Sequence, residues 1–242
     1  MSVDVLLDFL RIPVGDSQQV IDRFIDLPNA IHKGKGLKQF VWVPGTNKKK
    51  VCLVAHADTV WEGSKNNDPL IKDNGKIYRN SSQVGLGADD RAGCAMLWAL
   101  RNSGHSLLVV NGEESGSQGV RYLKEVHPHM FDLIQQHQFF IQLDRRNGKD
   151  FKCYEVGTDE FRKYVSENTE YTEPDRHSFT DITMLCEQVT GVNLSIGYYN
   201  EHTIKEYLVI DEWLNTLDKV TKILNSPNIP KFKLEKKNEP RT

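Results

Sequence analysis

Apolar and polar positions change period several times along the chain, and each change predicts an element. Over residues 3–12 the apolar side chains Val5, Leu6, Phe9 and Leu10 recur at helical spacing, and residues 16–25 repeat the pattern with Val20, Ile21, Phe24 and Ile25. Strand signals come next. Residues 37–43 run into the turn dipeptide Pro44-Gly45, and residues 50–55 form a short apolar run expected as a buried strand. Residues 71–78 carry Asp73-Asn74-Gly75 at their centre, a hairpin signal. The two periods then alternate. Helices are expected over 90–101, 119–126, 159–166, 181–189 and 210–224, and strands over 105–110, 139–143, 151–156 and 192–196. This alternation predicts an α/β fold: a mostly parallel or mixed central sheet with helices on both faces, in three layers. One domain is expected over residues 1–226. The stretch 227–242, rich in Lys, Asn and Pro, is expected as a solvated polar tail.

Composition narrows the function classes. The chain has 242 residues, 38% of them apolar, which suits a globular domain with a sizeable core. A net charge of −2 gives no field favouring nucleic acid or an anionic membrane. No run of about 20 apolar residues is present, so a membrane-spanning helix is not expected. The opening Met-Ser-Val-Asp-Val-Leu-Leu-Asp lacks the basic region and cleavage site of a secretory signal, and a cytoplasmic location is the expectation. Cys52, Cys94, Cys153 and Cys186 are widely spaced without a Cys-x-x-Cys pair, and are expected as buried free thiols.

The candidate chemistry sits where the predicted elements end. His56 and Asp58 close the 50–55 run. Spaced i, i+2 in extended chain, they leave on one side, so that His56 could bind a metal through one ring nitrogen while Asp58 accepts the other N–H. Asp89-Asp90-Arg91-Ala92-Gly93 stands at the mouth of a helix, where acids are also favoured by the helix dipole alone. Glu113-Glu114 follows the apolar run 107–110 after Asn111-Gly112. One carboxylate of such a pair can bind metal while the other takes a proton from water; an exposed acidic loop is the plain alternative. Asp144 ends an apolar strand and wants a partner, for which Arg145 or Arg146 competes with a cation. His202 lies in the loop Tyr198-Tyr199-Asn200-Glu201-His202-Thr203. Singly each is ordinary. Jointly they are imidazoles and hard oxygens without thiolate, all at element ends, the donor set of a catalytic zinc, cobalt or manganese centre. The His-Glu-x-x-His helix of many zinc hydrolases is absent.

The order of these segments resembles that of the clan MH co-catalytic dinuclear zinc exopeptidases, the group of tripeptidase T, carboxypeptidase G and the vibrio-type leucyl aminopeptidases. The stretch Gly87-Ala88-Asp89-Asp90-Arg91-Ala92-Gly93 is similar to the wording of tripeptidase T, as is Thr180-Asp181 followed by Gly197-Tyr198-Tyr199-Asn200-Glu201-His202. The resemblance implies a zinc-exopeptidase-like, phosphorylase/hydrolase-type fold with two divalent metal ions. His56, Asp89 and Asp144 would hold one, and Asp89, Glu114 and His202 the other, with Asp89 bridging. Asp58 would orient His56, Glu113 would be the general base, and the Asp89–Asp90 peptide would be cis. The chain departs from tripeptidase T and carboxypeptidase G in one respect. The stretch between Asp144 and His202 must hold strands and short helices and leaves no room for their lid domain, so the expected architecture is a bare catalytic domain.

The expected activity is that of a metal-dependent hydrolase of peptide bonds, an aminopeptidase or di/tripeptidase acting on a small peptide. The alternatives are a deacylase of N-acyl amino acids and a non-catalytic metal-binding protein. A free substrate amine would call for Asp181 or Glu201, and a free carboxylate for Arg145, Arg146 or Arg176. Tyr198, Tyr199, His177 and Arg145 are open candidates for the oxyanion role that a lid otherwise fills. The sequence leaves oligomeric state open.

Overall fold

The computed structural model describes residues 2–174 and 179–234. In chain order it forms α1 (Ser2–Leu10), α2 (Ser17–Ile25), β1 (Ile31–Lys35), β2 (Lys38–Val43), β3 (Cys52–His56), β4 (Leu70–Asp73), β5 (Lys76–Arg79), α3 (Ala88–Ala99), β6 (Ser106–Val110), α4 (Gln118–Val126), α5 (Pro128–Ile134), β7 (Phe140–Arg145), β8 (Phe151–Lys152), α6 (Asp159–Thr169), α7 (Asp181–Leu185), β9 (Gly191–Ser195), β10 (Tyr198–Tyr199), β11 (Tyr207–Val209) and α8 (Ile210–Leu224). A seven-stranded mixed sheet runs in the order β1-β2-β6-β3-β7-β9-β8. Its inner strands β6, β3, β7 and β9 are parallel, while β1, β2 and β8 add antiparallel edges.

The inner strands are apolar throughout because both faces are covered. From β3 and β6, Leu53, Ala55, Leu107 and Val109 enter a core shared with α1, α2, α3, α6 and α8. The alternate residues Cys52, Val54, Leu108 and Val110 enter a second core against α4, α5 and α7. These are the three layers that the alternation of elements predicts. Asp16 caps α2 by accepting from Gln19 N at 3.0 Å, and Phe9, Phe24 and Trp98 lock α1, α2 and α3 together at centroid separations of 5.6–6.1 Å. All four cysteines are buried and free. No helix among the described residues is long and apolar enough to cross a membrane.

Several elements differ from expectation. The strand expected over 151–156 pairs only at Phe151–Lys152, because Tyr154 takes φ +52° and Val156 N donates to Cys153 O in a turn. The helix expected over 181–189 stops at Leu185. Cys186 is extended, and the N–H groups of Glu187 and Gln188 donate to the buried Gln135 side chain instead of continuing the helix. The tail expected from 227 begins as packed chain: Ile229 and Phe232 are buried, with the Phe232 ring against Phe139, Phe161 and Tyr164. Residues 235–242 lie outside the described chain. The hairpin at Asp73-Asn74-Gly75 is present and recruits β10 and β11 into a small antiparallel sheet, β10-β11-β5-β4, that the sequence pattern did not announce. Between Asp144 and His202 the described residues form β8, α6, α7, β9 and β10 and no inserted lid.

The topology gathers the carboxyl ends of β3, β6, β7 and β9 at one edge of the sheet, where α/β proteins place their ligands. His56 ends β3, Asp144 lies at the end of β7, and Glu113-Glu114 follow β6.

Candidate metal centre

His56 is almost wholly buried, and both faces of its main chain are fixed. Its N–H donates to Asp90 Oδ2 at 3.1 Å, and its carbonyl accepts from Cys94 Sγ at 3.1 Å. The imidazole then points Nε2 toward two carboxylates, Asp89 Oδ1 at 3.2 Å and Asp144 Oδ1 at 3.5 Å. Nδ1 faces Asp58, but chiefly its main-chain carbonyl at 3.0 Å, with the carboxylate oxygen at 3.4 Å. The Asp58 carboxylate does more elsewhere, accepting from the N–H groups of Gly112 (2.8 Å), Glu113 (3.2 Å) and Glu114 (3.2 Å). One buried side chain therefore fixes the loop that carries both glutamates, a role the i, i+2 spacing gave no hint of.

Asp89 and Asp90 point opposite ways across a cis peptide bond. Asp90 turns inward, bonding His56 N and, at 3.0 Å, Gly93 N. A Cβ on Gly93 would stand 2.1 Å from Leu143 O and 2.3 Å from Asp90 Oδ1, so only glycine fits the crossing of α3 and β7. Asp89 turns outward. Its Oδ1 faces His56 and its Oδ2 lies 3.1 Å from Nε2 of His202, which also lies 3.0 Å from Glu114 Oε1. Two groups of potential metal ligands result, His56/Asp89/Asp144 and Asp89/Glu114/His202, each with its donor atoms within 4.8 Å of one another and both using Asp89.

Asp144 is not a partner of the neighbouring arginines. Arg145 Nε bonds Asp150 Oδ1 at 2.8 Å, and Arg146 pairs with Glu201. Gln142 (2.8 Å) and Thr180 (3.0 Å) donate to Asp144 Oδ2, and Tyr198 donates to Oδ1 at 3.2 Å. The salt-bridge alternative for this carboxylate therefore fails.

The electrostatics are those of a site short of positive charge. Burial, reinforced by Asp144, Asp181 and Asp89, pushes Glu113 up to about 9. Burial likewise raises Asp144 to about 6. The Asp89 and Glu114 carboxylates beside it hold His202 up to about 11. Burial works against a charged His56, yet Asp144, Asp58 and Asp89 override it and hold the imidazole well above its ordinary range. Protonated imidazoles thus balance carboxylates that a divalent cation would balance better. The fit to a cation also shows in one atom: Glu114 Oε1 is buried and, despite its approach to His202, accepts no hydrogen bond. Imidazole nitrogen and carboxylate oxygen are the donors that zinc takes in catalytic centres.

Comparison with solved structures gives close matches in architecture at low identity. The aminopeptidase PepT from Bacillus cereus superposes with a TM-score of 0.66 at 14% identity, over 92% of this chain and 97% of that one. A tripeptidase from Staphylococcus aureus gives 0.68 at 14% identity, over 92% and 96%. An aminopeptidase from the archaeon Desulfurococcus kamchatkensis gives 0.62 at 12% identity, over 92% and 94%. This chain has the fold of these peptidases. It is the fold that the resemblance to the clan MH exopeptidases implied, and at this identity the likeness speaks of fold alone. No protein-family model matches the sequence, and no curated protein does.

Asp89, Glu113, Glu114, Asp144 and His202 line one open cleft of about 250 Å³, with Tyr198, Phe179, Arg146 and Glu201 among its walls. Of the acids considered for a substrate amine, Asp181 is fully buried and Glu201 lines the cleft. Of the arginines, Arg145 is buried against Asp150, Arg146 stands half-exposed at the cleft against Glu201, and Arg176 lies outside the described residues, as does His177. The Tyr199 hydroxyl is turned away to Glu212 at 2.8 Å. Sequence reasoning missed the residues that hold the candidate ligands in place: Gln142 and Thr180 donate to the Asp144 carboxylate, Asn193 accepts from Asp144 N, and Glu206 accepts from Asp89 N. Thr180 carried a signal through the Thr180-Asp181 pair. The others sit in strand or loop patterns that nothing distinguishes.

Proposed function

We propose that this chain is a metal-dependent exopeptidase acting on short peptides, with one divalent cation held by His56, Asp89 and Asp144 and a second by Asp89, Glu114 and His202. The observation that carries the reading is Asp89, whose two carboxylate oxygens face different imidazoles, so that the two ligand groups share a residue. The donor set favours zinc, with cobalt or manganese as substitutes. Two such cations supply Lewis-acid activation of a water and of the scissile carbonyl.

The rest of the chemistry belongs to the protein. Glu113 faces the cleft without belonging to either ligand group. As general base it takes the proton of the attacking water and passes it to the departing amine. Asp58 holds Glu113 and Glu114 in register through their main chain and steadies the His56 ring. Tyr198 and Thr180 fix the Asp144 carboxylate.

The test is incubation of the zinc-loaded protein with a panel of short peptides and N-acyl amino acids, with and without chelator, read by mass spectrometry, alongside Glu113→Gln. Amino-acid release from peptides that chelator abolishes is the expected result. Glu113→Gln should keep two zincs per chain and lose turnover by roughly 10²–10⁴-fold. Normal zinc content with a normal rate in that variant would remove Glu113 from its role. Release from acyl amino acids alone would move the activity to deacylation. Two bound zincs with no turnover of any substrate would leave a binding protein.

A further inference from the structure

Glu206 follows closely on His202 in sequence and is buried at 2% exposure. Its carboxylate reaches back across the chain to the turn that opens α3. Oε2 accepts from Gly87 N at 2.7 Å, and Oε1 accepts from Asp89 N at 3.1 Å. Without it those two N–H groups would be buried donors lacking a partner. The turn is shaped for this contact: a Cβ on Gly85 would stand 2.8 Å from Glu206 Oε2 and 2.5 Å from Thr203 O. No other carboxylate among the described residues accepts from the Asp89 main chain.

We propose that Glu206 is a positioning residue of the metal centre: by tying the loop that carries His202 to the turn that carries Asp89, it sets the affinity of the Asp89/Glu114/His202 group for its cation. The inference rests on the metal reading above and extends it to a residue that touches no cation. The effect is expected to be asymmetric. The His56/Asp89/Asp144 group has its own supports, since Asp90, Cys94 and Asp58 fix His56, and Gln142, Thr180 and Tyr198 fix Asp144. His202 has fewer. It is half-exposed at φ +63°, in a loop held by short-range turns such as Glu206 N to Thr203 O at 3.1 Å and by the surface pair of Glu201 with Arg146. Of these ties, the strut that Glu206 provides is the one that reaches the Asp89 turn itself.

The experiment is titration of chelator-stripped protein with zinc, followed by calorimetry and by metal analysis after dialysis. Wild type is expected to take up two equivalents. Glu206→Gln keeps the shape but sets an amide N–H₂ against one of the two main-chain donors. It should bind the first equivalent as wild type does and the second at least tenfold more weakly, within the roughly 10–100-fold range that outer-shell changes produce. Gly85→Ala is the second variant, for the case in which Glu206→Gln does not fold. It leaves the carboxylate in the chain but displaces it, and the same asymmetric loss is expected. A lower melting temperature without metal, combined with two equivalents bound at wild-type affinity, would make Glu206 merely structural and overturn the proposal. Equal weakening of both equivalents would also overturn it. Failure of the wild type itself to bind zinc would remove the metal reading, and this inference with it.

Discussion

Replacing Asp58 by asparagine should destabilise the metal-free protein by about 2–4 kcal/mol. The magnitude comes from its three main-chain donors. The amide oxygen of the variant can keep the two partners on one side, Gly112 N and Glu113 N, but its N–H₂ then faces Glu114 N, a donor against a donor. Stranding one buried N–H costs about 1–3 kcal/mol, and weakening two bonds from a charged to a neutral acceptor costs about 1 kcal/mol each. Relief from burying a charge offsets part of this. Asp58 is 1% exposed, so solvent does little to screen the bonds. The loss is a large share of the roughly 5–15 kcal/mol that holds a typical domain together. The assay is equilibrium urea unfolding in chelator: the midpoint should fall with the m-value unchanged. Burial opposes ionisation of Asp58, but His56 and the loop N–H groups outweigh it and hold its pKa below the usual carboxylate range. A depressed folded pKa means that its contribution is present above the unfolded value of about 4 and disappears as pH falls through the folded one. Wild type and Asp58→Asn should therefore converge only in strong acid. A loss below about 0.5 kcal/mol at pH 7 would refute the assignment of the loop's order to this carboxylate.

Two further outcomes rest on the same geometry. Gly93→Ala should cost about 3 kcal/mol in thermal or urea unfolding, because the methyl meets Leu143 O, a main-chain atom that cannot swing aside; a change under about 1 kcal/mol would mean that α3 slides freely on β7. The metal-free protein should lose stability as pH rises from about 5 to about 11, because His202, Glu113 and Asp144 all keep protons in the fold that the unfolded chain has shed. For His202 the favourable contribution is complete below its unfolded value of about 6.5 and gone above its folded one near 11. Zinc should oppose this trend, since its binding expels those protons and tightens with pH. Urea midpoints across the range, with chelator and with zinc, check both, and a midpoint that climbs with pH in chelator would contradict the charge balance described for the site.

The main layers were legible because burial on both faces leaves a simple trace. The run from Val51 to Ala55 and that from Leu107 to Val110 read best as inner strands of a covered sheet, and the helical stripes around Phe9, Phe24 and Leu123 supplied the covers. Elements whose partners are polar or remote left no such trace. β1 reads as Ile-His-Lys-Gly-Lys, an edge strand with mixed burial, and α5 is a short helix started by Pro128. β10 and β11 are too brief for any period to register; they exist because the Asp73-Asn74-Gly75 hairpin offers an edge.

The sequence by itself determined which side chains are the candidates for the chemistry. His56, Asp144 and the Glu113-Glu114 pair stand at or just past the ends of apolar strands, Asp89 at the mouth of a helix and His202 in a loop, and a strand of known register fixes where its last side chain emerges. Only the tertiary structure decided how those side chains are held and aimed. Asp90 faces inward to His56 N while Asp89 faces both imidazoles, Asp58 serves the glutamate loop more than the histidine, and Glu206 braces a turn far from it in sequence. The reason is that burial periodicity is a property of neighbours along the chain. The bonds that orient a buried carboxylate join residues brought together by the packing of layers, and nothing local records them.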